Sequence, residues 1–232
     1  MTAEDVIVEL KAKGNPQRAK LSLRYFKTGK GQYGEGDKFF GVNLPDTRGI
    51  VRKYRDLSFL DIQKLLNNEF HDTRTVAVLI LVEKFSRGDA KEKEKTANFY
   101  LKNTKRINNW DLVDISAPKV LGPYFLDKEK DVLYKLSKST NLWERRISIM
   151  STFWFIKKGE YKDSLKIAEN LLKDKEDLIH KAVGWMLREI GKKDLKTEEE
   201  FLEKYYREMP RTMLRYSIEK FDKDKREYYM KK

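Results

Sequence analysis

The sequence predicts an all-α protein, because long stretches lack the residues that interrupt helices. Between Tyr124 and Met209 there is no proline, and glycine occurs only at positions 159, 184 and 191. These stretches are rich in Lys, Glu, Leu and Ala, which favour helix. Apolar residues recur at helical spacing with Lys and Glu opposite them, for example in 164–172 and 178–190. No convincing strand with a partner is visible.

Local signals place the helix starts in order along the chain. Leu44-Pro-Asp46 predicts a start near Asp46, and Ser58 followed by Asp61 resembles a capping box. Asp72 is expected to cap a helix that runs to Phe85. The predicted helices cover 3–13, 16–27, two segments that start near Asp46 and Ser58, 72–85, 91–105, 108–121, 129–138, 141–157, 160–174, 176–190, 197–208 and 211–222.

The segment 75–82 is ambiguous, because its β-branched residues also suit a strand. We predict a helix, since the apolar pattern continues to Phe85 without a break. The segment 29–41 holds five of the twelve glycines and is predicted to be a loop.

Short links between helices favour antiparallel neighbours, and therefore a row of helical hairpins. A spacing of about 35–40 residues per hairpin fits an α-α superhelix of HEAT-like repeats, with a globular α-bundle as the alternative. We expect one domain over 1–232 that includes the glycine-rich loop. A curved solenoid would offer a concave face on which Lys and Arg could follow a duplex.

Composition restricts the classes of function. The chain has no cysteine and two histidines, His71 and His180, which leaves little room for a zinc site or a multi-histidine catalytic cluster. We expect no metal and no other cofactor. The N-terminus carries charged residues and lacks a signal-peptide core, and the longest apolar run, 76–82, is too short to span a membrane. A cytoplasmic monomer is the expectation.

The chain has 50 Lys and Arg against 37 Asp and Glu, a net charge of +13. This excess fits a polyanionic partner such as nucleic acid, and equally a solvated, highly charged surface.

The glycine-rich segment Gly31-Gln-Tyr-Gly-Glu-Gly36 is not a nucleotide-binding loop. It continues with Asp37-Lys38 instead of the Lys-Ser/Thr that such loops require, and an acid at that point would repel phosphate.

The segment 107–118 is the most informative. Trp110 and Asp114 are four residues apart and share one face of a helix, which Asn108 or Asn109 would cap. In a structural interpretation, Trp110 lies in the core and Asp111 or Asp114 interacts with the helix N-terminus. In a functional one, the indole is a π-platform and the Asp114 carboxylate stabilises developing positive charge.

Three later segments bring basic residues onto helix faces. Adjacent Arg145 and Arg146 suit a phosphate backbone. In the segment 181–189, Gly184 beside Trp185 would allow close helix approach, with Arg188 one turn away. The candidate phosphate contacts are Arg145, Arg146, Lys181, Arg188, Arg211 and Arg215.

Together these segments resemble the AlkD-type DNA alkylation-repair glycosylases, a family of HEAT-like helical-repeat proteins. The similarity extends over most of the chain. It is carried by Tyr25 with Phe40-Gly-Val-Asn-Leu-Pro-Asp-Thr-Arg48, by Asn109-Trp-Asp-Leu-Val-Asp114, by Trp143-Glu-Arg-Arg146, by Lys181-Ala-Val-Gly-Trp-Met-Leu-Arg-Glu189 and by Pro210-Arg-Thr-Met-Leu-Arg215.

The resemblance implies excision of N3- and N7-alkylated purines, such as 3-methyladenine and 7-methylguanine, from duplex DNA without a base-binding pocket. It implies that Asp114 is the catalytic carboxylate, with Trp110 and Trp185 as aromatic contacts. Arg146 would lie near the active site, and Arg188 would contact the DNA backbone. The glycine-rich loop looks longer than in the simplest family members.

Physical chemistry agrees with this function. An N3- or N7-alkylated purine is already cationic, so it leaves without a strong general acid. A carboxylate that stabilises the oxocarbenium-like sugar and orients water, with two indole faces, is then sufficient. The alternatives are a non-enzymatic helical-repeat binder of distorted or branched DNA, which would be expected to lack the Trp/Asp pair, and a HEAT-type protein-interaction scaffold.

Overall fold

A computed structural model of the protein describes residues 1–231 and confirms the predicted all-α class. Over these residues there is no strand, and the only β-bridge joins Lys38 and Phe70. Several helices that follow each other in the chain pack together, as in an α-α superhelix. The α-helices are α1 (Ala3–Ala12), α2 (Pro16–Tyr25), α3 (Leu44–Tyr54), α4 (Phe59–Asn67), α5 (His71–Arg87), α6 (Ala90–Lys102), α7 (Trp110–Phe125), α8 (Asp131–Ser137), α9 (Leu142–Ser151), α10 (Phe153–Lys157), α11 (Lys162–Asn170), α12 (Asp177–Gly191), α13 (Leu195–Tyr205), α14 (Arg211–Ser217) and α15 (Lys223–Met230).

The chain divides into two compact units, Met1–Val120 and Leu121–Lys232, the second described up to Lys231. Their boundary falls inside α7. The expectation of one domain over 1–232 stays a prediction.

Helix α5 is the centre of the first unit. It packs against α1, α3, α4 and α6. Its Thr75–Val82 stretch, which the sequence left ambiguous, is helical, and most of its apolar residues are buried. The β-branched side chains are tolerated because tertiary burial outweighs the small loss in helix propensity.

Helix α12 is the centre of the second unit, where it packs against α9, α10, α11, α13 and α14. The predicted close approach at Gly184 is confirmed. A Cβ atom there would lie 2.4 Å from the Met213 carbonyl oxygen and 2.5 Å from the Tyr216 Cβ, so α14 packs directly on the α12 backbone.

Two predicted helix starts agree with the structure, one at the predicted cap and one within two residues of the prediction. The Ser58 hydroxyl accepts from the Asp61 amide at the start of α4. Helix α3 begins two residues before the predicted Asp46, because Asn43 caps it by accepting from the Asp46 amide.

Three predicted boundaries are wrong. Asp72 does not cap α5, which begins at His71; its carboxylate accepts from the Phe40 and Val42 amides, at 2.8 and 3.0 Å. The predicted helix 141–157 is two helices, α9 and α10, which meet at Thr152. Helix α15 lies beyond the last predicted helix, in a segment dominated by charged and tyrosine residues.

Gly184→Ala should lower the free energy of unfolding by ~1–3 kcal/mol, because the added methyl overlaps α14 backbone that cannot move aside cheaply. Gly49→Ala is the matched control. It lies within α3, nothing lies within 4 Å of the place that its Cβ would take, and alanine there should stabilise the protein by about 0.5–1 kcal/mol. Urea denaturation of both variants measures the difference, and equal effects would contradict the close packing.

Candidate active site

The start of α7 is fixed by Asn109, which is completely buried. Its side-chain oxygen accepts from the Trp110 amide at 2.8 Å, and its carbonyl oxygen accepts from the Val113 amide at 3.2 Å. Asn109 therefore caps α7, one of the two choices that the sequence offered.

Trp110 is half-buried and packs against two residues at the C-terminal end of α2. Phe26 stacks on its indole with ring centroids 5.7 Å apart, and Tyr25 meets it edge-on, also at 5.7 Å. The indole is thus packed on part of its surface and accessible on the rest, so it belongs neither to the deep core nor to the open surface.

Asp114 follows one helical turn after Trp110 and is also half-buried. The buried Tyr100 hydroxyl lies 2.8 Å from the Ser116 hydroxyl, on the same helix as Asp114. Burial raises the pKa of Tyr100, and the negative charge of Asp114 adds to that rise, so the phenol stays protonated next to this carboxylate.

Asp111 lies in the first turn of α7, where the structural interpretation places an acid near the helix N-terminus. Its Oδ2 lies 2.8 Å from Nε2 of His71. The other ring nitrogen of His71, Nδ1, lies 3.2 Å from Oδ2 of Asp37. His71 therefore bridges the glycine-rich loop and the first turn of α7.

Asp37 receives two further hydrogen bonds from buried groups. Arg74 donates to its Oδ1 at 2.5 Å, and the Asn109 side-chain amide donates to its Oδ2 at 3.4 Å. We call Asp37, His71, Arg74 and Asp111 the buried charge cluster. Its charges balance when His71 is protonated.

The pKa of His71 is raised to about 9. Burial alone would lower it, but the charge and hydrogen bond of Asp111 and the hydrogen bond to Asp37 outweigh burial and the repulsion of Arg74. Burial pushes the pKa of Asp37 up, whereas His71, Arg74 and Asn109 together bring it below its ordinary value.

Sequence reasoning missed this cluster, since it counted the two histidines only against metal and histidine-based catalytic sites. The available signals were indirect: an acid, Asp37, directly after the glycine-rich loop, and His71 and Arg74 at the start of an otherwise apolar helix.

In the second unit, Trp185 is half-buried, and its indole N–H donates to Glu189 at 3.1 Å. Its ring lies 6.0 Å from that of Phe153. Trp185 is therefore not a core residue, although the neighbouring Gly184 is packed under α14.

The two adjacent arginines of α9 are engaged within the protein. Arg145 pairs with Asp174 at 2.6 Å and donates to the Ser139 and Thr140 carbonyls. Arg146 is only 4% exposed and donates to the Leu178 carbonyl.

The remaining basic candidates differ in exposure. Arg188 pairs with Glu219, and Lys181 pairs with Asp177 at 2.8 Å. Arg211 is exposed and donates to the Met230 carbonyl at 2.9 Å. Arg215 is exposed and makes no ion pair with any residue of 1–231. Because α12 packs on both α9 and α14, these residues lie on three neighbouring helices.

Residues 1–231 contain no group of three or more His, Cys, Asp or Glu side chains arranged to hold a metal ion. Nor is any helix in this part of the chain long and apolar enough to cross a membrane.

The fold and these residues define a class: an all-α protein of packed consecutive helices, with a Trp–carboxylate pair on one helix and basic residues on others. The sequence model of the DNA alkylation repair enzyme family matches residues 6–221, so the chain belongs to that family. It is similar to a solved structure described as a predicted DNA alkylation repair enzyme from Enterococcus faecalis, with 17% identity and a TM-score of 0.71 over 91% of this chain and 98% of that one. At this identity the likeness shows the fold alone. No curated protein sequence matches the chain.

The raised pKa of His71 makes stability depend on pH. A group whose pKa rises from 6.5 when unfolded to about 9 when folded stabilises the protein fully below pH 6.5 and loses that contribution as the pH passes 9. The loss should be on the order of 3 kcal/mol. Urea denaturation of the wild type and His71→Gln from pH 6 to 10 measures it: their difference in unfolding free energy should shrink as the pH rises. A constant difference would mean that His71 is neutral in the fold.

Proposed function

We propose that the protein is a DNA glycosylase that excises positively charged N3- and N7-alkylated purines, such as 3-methyladenine and 7-methylguanine, from duplex DNA. Membership in the DNA alkylation repair enzyme family supports a role in DNA repair. The reaction, hydrolysis of the N-glycosidic bond, is our proposal.

The observation that carries it is the pair formed by Trp110 and Asp114. They lie one helical turn apart on a helix whose first turn is fixed by Asn109, and both are half-buried. A carboxylate in such a place is partly shielded from water and remains reachable, so its charge acts on a developing cation more strongly than in bulk solvent.

Bond cleavage requires little else from the protein. The alkylated base already carries the positive charge, so it departs as a neutral purine without protonation by an acid. Asp114 would stabilise the oxocarbenium-like sugar and accept a proton from the attacking water, and the face of Trp110 would contact the positive sugar. We assign the same kind of aromatic contact to Trp185.

DNA is the proposed partner of the basic residues, in a metal-free reaction by a monomer. Arg211 and Arg215 are exposed and suit phosphate contacts. Lys181, Arg188, Arg145 and Arg146 are proposed as further DNA contacts, although their present partners lie within the protein. A phosphate would have to compete with those partners.

Asp114→Asn should reduce release of 7-methylguanine from methylated duplex DNA by on the order of 10²-fold or more, because the amide keeps the shape and removes the charge. Binding to the same duplex should change little. Asp127→Asn, an exposed carboxylate beyond the end of α7, is the matched control and should release base at the wild-type rate. Near-normal release by Asp114→Asn would exclude the catalytic role.

Arg215→Ala should weaken binding to undamaged duplex equally for different sequences and lower the salt dependence of the affinity by about one phosphate contact. Lys196→Ala is the matched control, because Lys196 is an exposed cation on α13 that pairs with Glu200 at 3.8 Å. Measuring the binding of both variants at several salt concentrations gives, for each, the slope of the logarithm of the affinity against the logarithm of the salt concentration. Identical slopes for Arg215→Ala and wild type would remove Arg215 from the interface.

The same two experiments separate the alternatives. A DNA binder without enzymatic activity would show the salt-dependent affinity and no base release. A protein-interaction scaffold would show neither.

A further inference from the structure

We infer that His71 is a positioning residue for the proposed reaction: a buried imidazolium, held between Asp37 and Asp111, that fixes the first turn of α7 and with it the Trp110 indole. The part of this inference that concerns the reaction rests on the proposed function. The part that concerns the structure does not.

The protonation state follows first from geometry. Each ring nitrogen of His71 lies within hydrogen-bond distance of a carboxylate oxygen, Nδ1 of Asp37 and Nε2 of Asp111. Ionised carboxylates only accept hydrogen bonds, and a neutral imidazole has only one N–H. Both contacts are therefore satisfied only by the doubly protonated ring, in keeping with its raised pKa.

The cluster holds Trp110 from both sides along the backbone. Asn109 precedes the tryptophan, donates to Asp37 and accepts from the Trp110 amide. Asp111 follows it and is bound to His71. The two residues that flank Trp110 are thus both attached to the buried charge cluster.

A second connection runs through stacked rings. The ring of Phe26 lies 4.7 Å from that of His71 and 5.7 Å from that of Trp110. Phe39 covers His71 at 5.0 Å. Movement of the imidazole would therefore displace the indole, both through the backbone of α7 and through the Phe26 ring that packs on both side chains.

Loss of the His71 proton would affect Asp111 most. Asp37 keeps Arg74 as a charge partner, whereas Oδ1 of Asp111 is buried with no hydrogen-bond partner in residues 1–231. With a neutral imidazole, the cluster would keep two carboxylates against one guanidinium. An uncompensated buried charge is costly, so the first turn of α7 would loosen.

The charged groups that face His71 come from three segments: Asp37 from the loop, Arg74 from α5 and Asp111 from α7. Asp72, its neighbour on α5, is bound to the Phe40 and Val42 amides. The side chain of His71 is itself only 5% exposed, so it acts through Trp110 and not on DNA.

The first test is a titration. The chain has two histidines, so ring-labelled histidine gives two sets of NMR signals, which His180→Gln assigns. The His71 signals should report two N–H groups at pH 7 and titrate near pH 9. One N–H at pH 7, or a midpoint at or below 6.5, would overturn the inference.

The second test follows Trp110 itself. Fluorotryptophan gives four ¹⁹F signals, one for each tryptophan, and Trp110→Phe assigns the relevant one. The Trp110 signal should shift with the same midpoint as His71, in protein that circular dichroism shows to be folded. A Trp110 signal that does not move through the His71 titration would overturn the positioning role.

Asp111→Asn connects both readouts to the reaction. It keeps an acceptor and removes one charge, so the His71 and Trp110 midpoints should both move to lower pH. In this variant, the rate of 7-methylguanine release, corrected for spontaneous loss, should fall on the order of 10-fold or more as the pH rises through the lowered midpoint. His180→Gln should leave the wild-type profile unchanged.

The outcomes separate the two proposals. Coincident His71 and Trp110 midpoints without any base release by the wild type would overturn the proposed function and support the structural role of His71. If the wild type and Asp111→Asn release base with the same pH profile although the His71 midpoint differs between them, the positioning role is overturned. The proposed glycosylase function would be unaffected by that result.

Discussion

The buried charge cluster is the constraint on which the first unit depends. Asp37, His71, Arg74 and Asp111 come from the glycine-rich loop, from α5 and from α7, and each contact in the cluster is 3.2 Å or shorter. Removing one member of such a group leaves a buried charge unpaired, which costs roughly 3–5 kcal/mol. The three segments are therefore held together more specifically than apolar packing alone would hold them.

The glycines of the glycine-rich loop permit the backbone conformation that places Asp37 in this cluster. Gly36, directly before Asp37, has φ of +86°, a backbone conformation that is unfavourable for residues other than glycine. A Cβ on Gly34 would lie 2.3 Å from the Phe26 carbonyl oxygen, so only glycine lets the loop return against the end of α2. Asp37, whose charge makes a phosphate-binding loop unfavourable here, is thus the residue that the loop places in the buried charge cluster.

The sequence was sufficient for most features whose signal is local, although it missed the break between α9 and α10 and the helix α15. The helices, the capping by Ser58 and Asn109 and the packing role of Gly184 follow from residues within a few positions of each other. It failed where partners are distant in the chain. Asp37 and Asp111 lie 34 and 40 residues from His71, and no periodicity connects them. The same reason explains Asp72, which looked like a helix cap and instead binds a loop 30–32 residues earlier.

The net charge of +13 does not show which surface cations are already paired with a carboxylate that is distant in the sequence. Arg145, Arg188 and Lys181 looked like DNA contacts in the sequence, yet each has an acidic partner within the protein. Such pairs cancel much of the long-range field of a cation, because the partner carboxylate lies within 4 Å of it. If the protein binds DNA as proposed, the initial attraction must come from exposed cations that have no carboxylate partner in residues 1–231, such as Arg215. Paired arginines would contribute only after a phosphate displaces their carboxylates, so they suit close positioning of bound DNA better than its capture.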